Sequence, residues 1–368
     1  MAVIKRLRID GYKSIKHLDL ELSSLNVLIG ANGSGKSNFI SFFELLNSIR
    51  NSFYFNEYVA EKAGADNFLF GGSKVTKKIE SEVYFEDMLY KLYLSWQVGD
   101  RFSYNDEAFL NMHCISGYND LTSEPNDVII QYDNKKYLQF NSESLHFLNA
   151  YFNCKIYHFN DTSPDALIKK PQNINDNTYL KPNGANLSSY LYLIKEKYPE
   201  KFQYILDLLQ LVAPFIFRLK PRPDERNPNY ILLEWEHRKF KDKYFDINHL
   251  SDGTLRFLCI VTALITAEEN ATIIIDEPEL GLHPHAISVL AGIMKSVSKQ
   301  GKQIIASSQS VTLINEFKAE DILVSDLINN ETHIRRLTQE EVEAWLEDYK
   351  IGTIWEKNII GGTPGDFQ

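Results

Sequence analysis

A glycine-rich run near the amino terminus constrains this chain more than any other feature of its sequence. Residues 30–37 read GANGSGKS and match the pattern G-x-x-x-x-G-K-[ST]. The apolar segment Leu25–Ile29 precedes the run and apolar residues at helical spacing follow it, which indicates a strand, a loop and a helix in that order. Glycines let the backbone bend until successive N–H groups and the helix N-terminus point at one anion. The sequence therefore predicts a phosphate-binding loop.

The residues of this loop have separate predicted roles in binding a nucleotide. Lys36 would bring a positive charge to the β- and γ-phosphates, and the Ser37 hydroxyl would complete the coordination shell of Mg²⁺. The predicted nucleotide-binding residues are Gly30, Asn32, Gly33, Ser34, Gly35, Lys36, Ser37 and Asn38.

An acidic pair follows a second apolar strand much later in the chain. Residues 273–278 read IIIDEP, so a buried strand would carry Asp276 to the edge of a sheet, where it can hold Mg²⁺ through water. Glu277 would then orient and deprotonate an attacking water molecule. Two acids at the end of a core strand are common in isolation, but their pairing with a phosphate loop favours hydrolysis.

A third motif offers another arrangement for binding an anion. Residues 250–254 read LSDGT and supply the Ser251 hydroxyl, the glycine Gly253 and a helix N-terminus. One chain cannot easily place two such helix ends on the same γ-phosphate, so this motif should act on the nucleotide of a second copy. Taken alone, the pentapeptide is only a helix cap.

Together these motifs resemble those of the ABC-type ATPases. GANGSGKS is similar to their phosphate loop, IIIDEP to their magnesium and catalytic-base strand, and LSDGT to their LSGGQ signature, with Asp252 in place of a glycine. ELGLHP, at residues 279–284, resembles their D-loop. The opening IKRLRIDGYKSIKHLDLEL is similar to that of the RecF/SMC-like ATPases and of the ATPase heads of the overcoming-lysogenization-defect (OLD) family. The resemblance covers residues 1–50 and 246–315 in detail, and the middle in outline.

The resemblance implies an α/β fold, a P-loop NTPase of ABC-ATPase type. It would have a mixed parallel sheet flanked by helices, an antiparallel β-subdomain and a helical insert. The implied cofactors are ATP and Mg²⁺. Four divisions of the chain are predicted. Residues 1–96 form ATPase lobe I with the phosphate loop and the antiparallel β-subdomain, and residues 97–245 form an inserted α/β region and a helical lobe. Residues 246–330 form the ATPase core with the signature, the acidic strand and the switch strand, and residues 331–368 form a C-terminal tail.

The chain departs from the family pattern after the last core strand. The family usually has Thr-His-Ser there, whereas this chain has Ser308-Gln309-Ser310. Gln309, the second predicted catalytic residue beside Glu277, can donate a hydrogen bond to a γ-phosphate but carries no charge, which predicts slow or partner-stimulated hydrolysis. No glutamine loop can be assigned, although residues 157–160 lie near its expected place. Lys13 matches a basic residue that reaches nucleotide phosphate in this group; the alternative is a solvated turn.

Composition limits the possible partners. The net charge of −10 excludes a generally polybasic nucleic-acid clamp, so DNA contact would fall to a local patch such as the basic segments between Arg218 and Lys243. Those segments also contain acids and fit an ordinary solvated face. Cys114, Cys154 and Cys259 have neither disulfide nor zinc spacing. With no secretory signal and no apolar run long enough to span a membrane, the chain is expected to be cytoplasmic and to make no membrane contact itself.

The expected function is an ATP-dependent switch, formed by a homodimer or higher homo-oligomer that closes head to tail around two ATP·Mg²⁺. Its expected setting is DNA-linked or anti-phage defence. Only 53 residues follow position 315, too few for the nuclease domain that OLD proteins carry there, so a nuclease or toxin effector would be a separate protein encoded nearby. Two alternatives stay open. One is a regulatory ATP-binding module that sequesters a toxic partner with little turnover, and the other is a transporter subunit, which the long separation of Ser37 and Ser251 disfavours.

Replacing Lys36 with alanine should abolish nucleotide binding, because it removes the positive charge of the loop. Titration calorimetry with ATP measures the effect directly. An unchanged affinity would reject the assigned site.

Overall fold

The strands and helices of the computed structural model fall into two compact units. The structure describes residues 3–50, 52–111, 128–132, 135–140 and 152–362. The first unit comprises Met1–Cys154, Glu269–Thr272 and Lys318–Gln368, and the second comprises Lys155–Glu268 and Ile273–Phe317. Cys114 and the last six residues lie outside the described part of the chain. The four divisions expected from the sequence stay a prediction.

The first unit contains a seven-stranded antiparallel sheet and the segment that leads into the phosphate loop. In chain order its elements are β1 (Arg6–Tyr12), β2 (Ile15–Glu21), β3 (Leu25–Ile29), α1 (Lys36–Ile49), α2 (Ser52–Glu61), β4 (Lys78–Tyr84), β5 (Met88–Gln97), β6 (Arg101–Asn111), β7 (Val128–Tyr132) and β8 (Lys135–Phe140). The sheet order is β2-β1-β4-β5-β6-β8-β7. The alternating residues of β1 explain its one-sided burial.

A parallel strand pair supports the phosphate loop within the same unit. All five residues of β3 are buried, as expected for a strand covered on both faces. β3 pairs in parallel with β16 (Ile322–Ile328), which pairs antiparallel with β17 (Glu331–Arg336). Two short helices follow, α8 (Gln339–Leu346) and α9 (Ile351–Glu356). The carboxyl-terminal region thus contributes two strands beside the loop.

The second unit combines a small sheet with a strand–helix–strand segment. In chain order its elements are β9 (Cys154–Tyr157), β10 (Gln172–Asn173), α3 (Leu187–Lys197), α4 (Pro199–Val212), β11 (Ile216–Pro223), β12 (Tyr230–His237), β13 (Phe240–Asp246), α5 (Asp252–Thr266), β14 (Thr272–Asp276), α6 (Pro284–Lys299), β15 (Gln303–Ser308) and α7 (Val311–Ile314). β14 lies between β15 and β9. The small sheet has the order β10-β12-β11, and β13 also pairs with β12.

One prediction about local structure is wrong. The three prolines and several charges of residues 219–229 predict a loop, but residues 219–223 belong to β11, which extends through Pro223. Residues 224–229 do form the connection to β12. In its register with β12, Pro221 lies opposite Leu233 and Pro223 opposite Ile231. Among the described strands β11 pairs with β12 alone, so it is an edge strand, where a residue without an N–H group is tolerated.

The described helices were also compared with the length and hydropathy that a bilayer requires. None of those in the described ranges is long and apolar enough to cross a membrane.

Candidate functional site

The phosphate loop runs from the end of β3 to the start of α1. Gly33 and Gly35 have φ of +82° and +100°, in the left-handed region that favours glycine. Gly35 is the N-cap of α1, and no side chain caps the helix. A β-carbon at Gly33 would meet nothing within 4 Å. The open side of Gly33 and an N-terminus uncapped by any side chain fit a phosphate group.

The Lys36 side chain lies over its own loop. Its Nζ donates hydrogen bonds to the carbonyl oxygens of Gly30, at 2.6 Å, and Ala31, at 2.8 Å. Lys36 is buried. The ammonium group is therefore held against the loop, and its contact with the phosphates of a nucleotide stays a prediction.

Two hydroxyl groups on β16 and β17 make hydrogen bonds to the main chain of the phosphate loop. Ser325 Oγ and Thr332 Oγ1 donate to the carbonyl oxygen of Ser34, at 2.9 and 3.0 Å. A β-carbon at Gly35 would lie 2.0 Å from Thr332 Oγ1, so only glycine fits there. Both hydroxyl residues lie about 290 residues or more from the loop in sequence, where sequence reasoning had no signal for them.

The turn between β1 and β2 makes hydrogen bonds to Thr332 and to the first turn of α1, beside the phosphate loop. Ser14 Oγ lies 2.7 Å from Thr332 Oγ1 and accepts from Asn38 Nδ2 at 2.6 Å. Lys13 instead donates through Nζ to Ser41 Oγ at 2.8 Å, and burial lowers the pKa of its ammonium group. Asn38 thus supports the turn, and Lys13 lies against α1.

The acidic pair lies where β14 ends. Ser307 Oγ donates to Asp276 Oδ1, and the main-chain N–H of Glu277 donates to both the carbonyl and the hydroxyl oxygen of Ser307, at 3.2 Å each. Glu277 has φ of 46°, uncommon for a residue with a side chain. His158 Nδ1 lies 3.7 Å from Asp276 Oδ2. The end of β15 therefore fixes both acids of the motif.

The structure brings Gln309 and Glu277 together. Gln309 Nε2 donates to Glu277 Oε1 at 2.5 Å. Gln309 also donates through its main-chain N–H to Glu279 Oε1 at 3.0 Å, and Ser308 Oγ donates to the same oxygen at 2.7 Å. Burial raises the pKa of Glu279, a residue that sequence reasoning placed in the D-loop without a role.

The signature residues lie at the start of α5. Ser251 is the N-cap: its Oγ accepts from Thr254 N at 3.2 Å and lies 2.8 Å from Thr254 Oγ1. A β-carbon at Gly253 would lie 2.4 Å from the carbonyl oxygen of Gly281. Glycine is thus required at Gly253 for packing against the D-loop, whatever its part in binding phosphate.

Asp252, which replaces the family's glycine, has a local counter-ion. Lys169 Nζ lies 3.1 Å from Asp252 Oδ1 and also donates to the carbonyl of Thr162 at 2.5 Å. The hydrogen bond from Lys169 is the main cause of the lowered pKa of Asp252. Because the Asp252 carboxylate is exposed, this ion pair adds little to the stability of the fold. The positive charge of Lys169 nevertheless offsets the negative charge that Asp252 adds to the motif.

The basic segments expected as a possible DNA contact are partly charge-balanced. On β11, Arg218 and Lys220 lie opposite Glu236 and Glu234 of β12. Arg222 donates through Nε and Nη2 to the two carboxylate oxygens of Glu234, at 2.8 and 2.9 Å. Contact with DNA stays a prediction.

Within the described ranges, no group of three or more His, Cys, Asp or Glu residues is placed to hold a metal ion.

Two protein-family models match this chain. "AAA ATPase domain" matches residues 3–213, and "AAA domain, putative AbiEii toxin, Type IV TA system" matches residues 118–315. Each match spans more than half of the chain. The chain belongs to the AAA ATPase domain family.

Relatives of this ATPase domain agree with the resemblance found in its motifs. It is 27% identical over 175 residues to the Old nuclease of Escherichia phage P2, an alignment that covers 45% of this chain and 29% of that protein. The chain therefore spans less than a third of that relative. The resemblance to RecF/SMC-like and OLD-like ATPases is confirmed.

Solved structures of SMC heads share the fold of this ATPase domain. The SmcHead bound to the C-winged helix domain of ScpA matches with a TM-score of 0.58 at 17% identity, covering 93% of this chain and 99% of that one. The Smc head domain with an extended coiled coil, bound to the C-terminal domain of ScpA derived from Pyrococcus furiosus, gives 0.56 at 16% identity, covering 95% and 99%. The predicted fold class is confirmed.

Replacing Thr332 with valine should weaken ATP binding by this ATPase domain about three- to tenfold. The change removes the hydrogen bond that Thr332 donates to the loop carbonyl of Ser34 and the one that it shares with Ser14 Oγ, while it keeps the side chain's shape. A lost hydrogen bond costs about 1 kcal/mol. Calorimetry measures the affinity, with Thr332→Ser as the matched control that keeps the hydroxyl. Wild-type affinity in the valine variant would show that the loop does not depend on this support.

Proposed function

We propose that this chain binds ATP·Mg²⁺ and hydrolyses the bond to the γ-phosphate while two copies associate head to tail. The observation that carries the proposal is the placement of Glu277. Its main chain is held by Ser307 and its carboxylate by Gln309, beside Asp276. Membership in an ATPase domain family supports the reaction class.

The binding step uses the phosphate loop. The N–H groups of the loop and of the first turn of α1 would contact the phosphates, and Lys36 would add a positive charge. The Ser37 hydroxyl and, through water, Asp276 would hold Mg²⁺. When bound, Mg²⁺ neutralises negative charge on the phosphate oxygens.

The chemical step assigns one proton transfer to Glu277. Its carboxylate would take a proton from a water molecule as the water oxygen bonds to the γ-phosphorus. The bond from that phosphorus to the bridging oxygen breaks, and ADP and inorganic phosphate leave. Gln309 would fix the orientation of Glu277 by its hydrogen bond. Since the amide of Gln309 is uncharged, it stabilises the developing negative charge less than a protonated histidine would, and slow turnover is expected.

The second copy would contribute the signature motif. Ser251, Gly253 and the N-terminus of α5 would approach the γ-phosphate bound by the partner's loop. This arrangement makes dimer closure depend on ATP and dimer release depend on hydrolysis.

The biological setting that we propose is DNA-linked or anti-phage defence with a separate effector protein. Similarity to part of a phage nuclease and the match to a family model that names a toxin support it. A regulatory ATP-binding module with little turnover is the second candidate, which the uncharged Gln309 favours.

Replacing Glu277 with glutamine should trap an ATP-bound dimer, because ATP still binds while the proton acceptor is lost. Light scattering coupled to size exclusion measures the mass with and without ATP. The Lys36→Ala, Glu277→Gln double variant is the control and should stay monomeric. A monomeric Glu277→Gln variant at saturating ATP would contradict the head-to-tail mechanism.

Replacing Lys169 with methionine in the Glu277→Gln background should weaken ATP-dependent dimerisation about three- to tenfold. The exposed Asp252 would lose its counter-ion and repel the phosphates of the partner's nucleotide, a modest effect in water. Sedimentation at several protein concentrations measures the dimer dissociation constant.

Adding Asp252→Asn to that variant should restore dimerisation, because the motif is then neutral again. If the double variant dimerised as poorly as Lys169→Met alone, charge balance would not be the role of Lys169.

A further inference from the structure

Glu279 has a carboxyl group to which the proposed reaction assigns no role. It lies two residues beyond Glu277, and its Oε2 is buried with no hydrogen-bond partner among the described residues. A buried carboxyl oxygen without a partner is costly, so its placement calls for a compensating role.

The other oxygen of Glu279 holds the segment that follows β15. Oε1 accepts from the Ser308 hydroxyl at 2.7 Å and from the main-chain N–H of Gln309 at 3.0 Å. The same hydroxyl of Ser308 accepts from Ser310 N at 3.0 Å, and Ser310 caps α7 by accepting from Leu313 N. Glu279 is therefore one end of a chain of hydrogen bonds that fixes residues 308–310.

Gln309 makes two hydrogen bonds to carboxyl groups. Its main-chain N–H donates to Glu279, and its side-chain amide donates to Glu277. Its side chain is exposed and would otherwise be free to change rotamer. Its Nε2 meets Glu277 Oε1 at 2.5 Å, which requires the main chain of Gln309 to stay in place. Glu279 supplies that restraint through the hydrogen bond that its Oε1 accepts from the main-chain N–H of Gln309.

We propose that Glu279 is a positioning residue for ATP hydrolysis, which holds Gln309 so that Gln309 keeps the carboxylate of Glu277 oriented. The inference rests on the proposed function, because it assumes that Glu277 accepts the proton of the attacking water. Glu279 acts through Gln309 alone and contributes nothing to binding ATP.

The first test does not depend on turnover. Amide hydrogen exchange of the nucleotide-free chain reports the N–H of Gln309 directly. Glu279→Ala should speed this exchange about tenfold, whereas Glu279→Gln, whose amide oxygen accepts the same bonds, should leave it near the wild-type rate. Exchange at Gln309 that does not change in Glu279→Ala would overturn the proposal.

A matched control for this test lies in the same unit. Glu316 also accepts a hydrogen bond from a serine hydroxyl, that of Ser288 at 2.7 Å. Glu316→Ala should leave the exchange of Gln309 and the turnover number unchanged. A change as large as that of Glu279→Ala would show a general loss of stability and would overturn the positioning role.

The second test separates kcat from KM. Glu279→Ala should lower kcat about tenfold with KM for ATP and the calorimetric affinity unchanged, and Glu279→Gln should recover most of the rate. Gln309→Ala should lower kcat by a similar factor, and the Glu279→Ala, Gln309→Ala double variant should be no slower than either single variant. Losses that multiply, or a loss confined to KM, would contradict the proposal.

The two tests distinguish the inference from the function on which it rests. If the wild-type chain turns over ATP no faster than Glu277→Gln, the proposed function fails. The exchange result then still decides whether Glu279 holds Gln309.

Discussion

The carbonyl oxygen of Ser34 is the point on which the first unit depends. Gly33 and Gly35 hold the loop in left-handed conformations, which an isolated glycine-rich segment would adopt only part of the time. The hydroxyl groups of Ser325 and Thr332 stabilise this loop conformation, because both donate hydrogen bonds to the carbonyl oxygen of Ser34. The loop is therefore fixed by strands that the chain adds only near its other end, which is why the first unit includes both.

The local parts of this structure could be predicted from the sequence, and the supporting contacts could not. The strand before the phosphate loop and the strand before the acids are short apolar runs with clear boundaries, so pattern alone placed them. Thr332, Lys169 and Glu279 carry no local signal, because each acts on a residue that only the folded chain brings near. The strand β11 was missed because prolines suggest a loop, whereas an edge strand accepts them.

The acidic end of β14 shows how three carboxyl groups can lie close together in one segment. Asp276, Glu277 and Glu279 each accept from neutral donors supplied by residues 307–309. These neutral donors stabilise the carboxyl groups without adding a positive charge, which in the proposed mechanism would compete with Mg²⁺. Burial raises the pKa of the Glu279 carboxyl group, because its ionised form loses hydration there.

The two departures from the family pattern, Asp252 in the signature and Gln309 after β15, are both compatible with slow hydrolysis of a tightly bound nucleotide. At the signature, Lys169 offsets the charge of Asp252, so the helix end would keep the attraction for phosphate that we propose despite an added acid. After β15, Gln309 donates a hydrogen bond to Glu277 and, in the proposed mechanism, would offer no charge to the transition state. In the proposed mechanism, preserved binding combined with weakened chemistry would lengthen the life of the ATP-bound state. A long-lived bound state suits a switch that waits for a partner, and it suits a motor or a transporter that must turn over rapidly much less well.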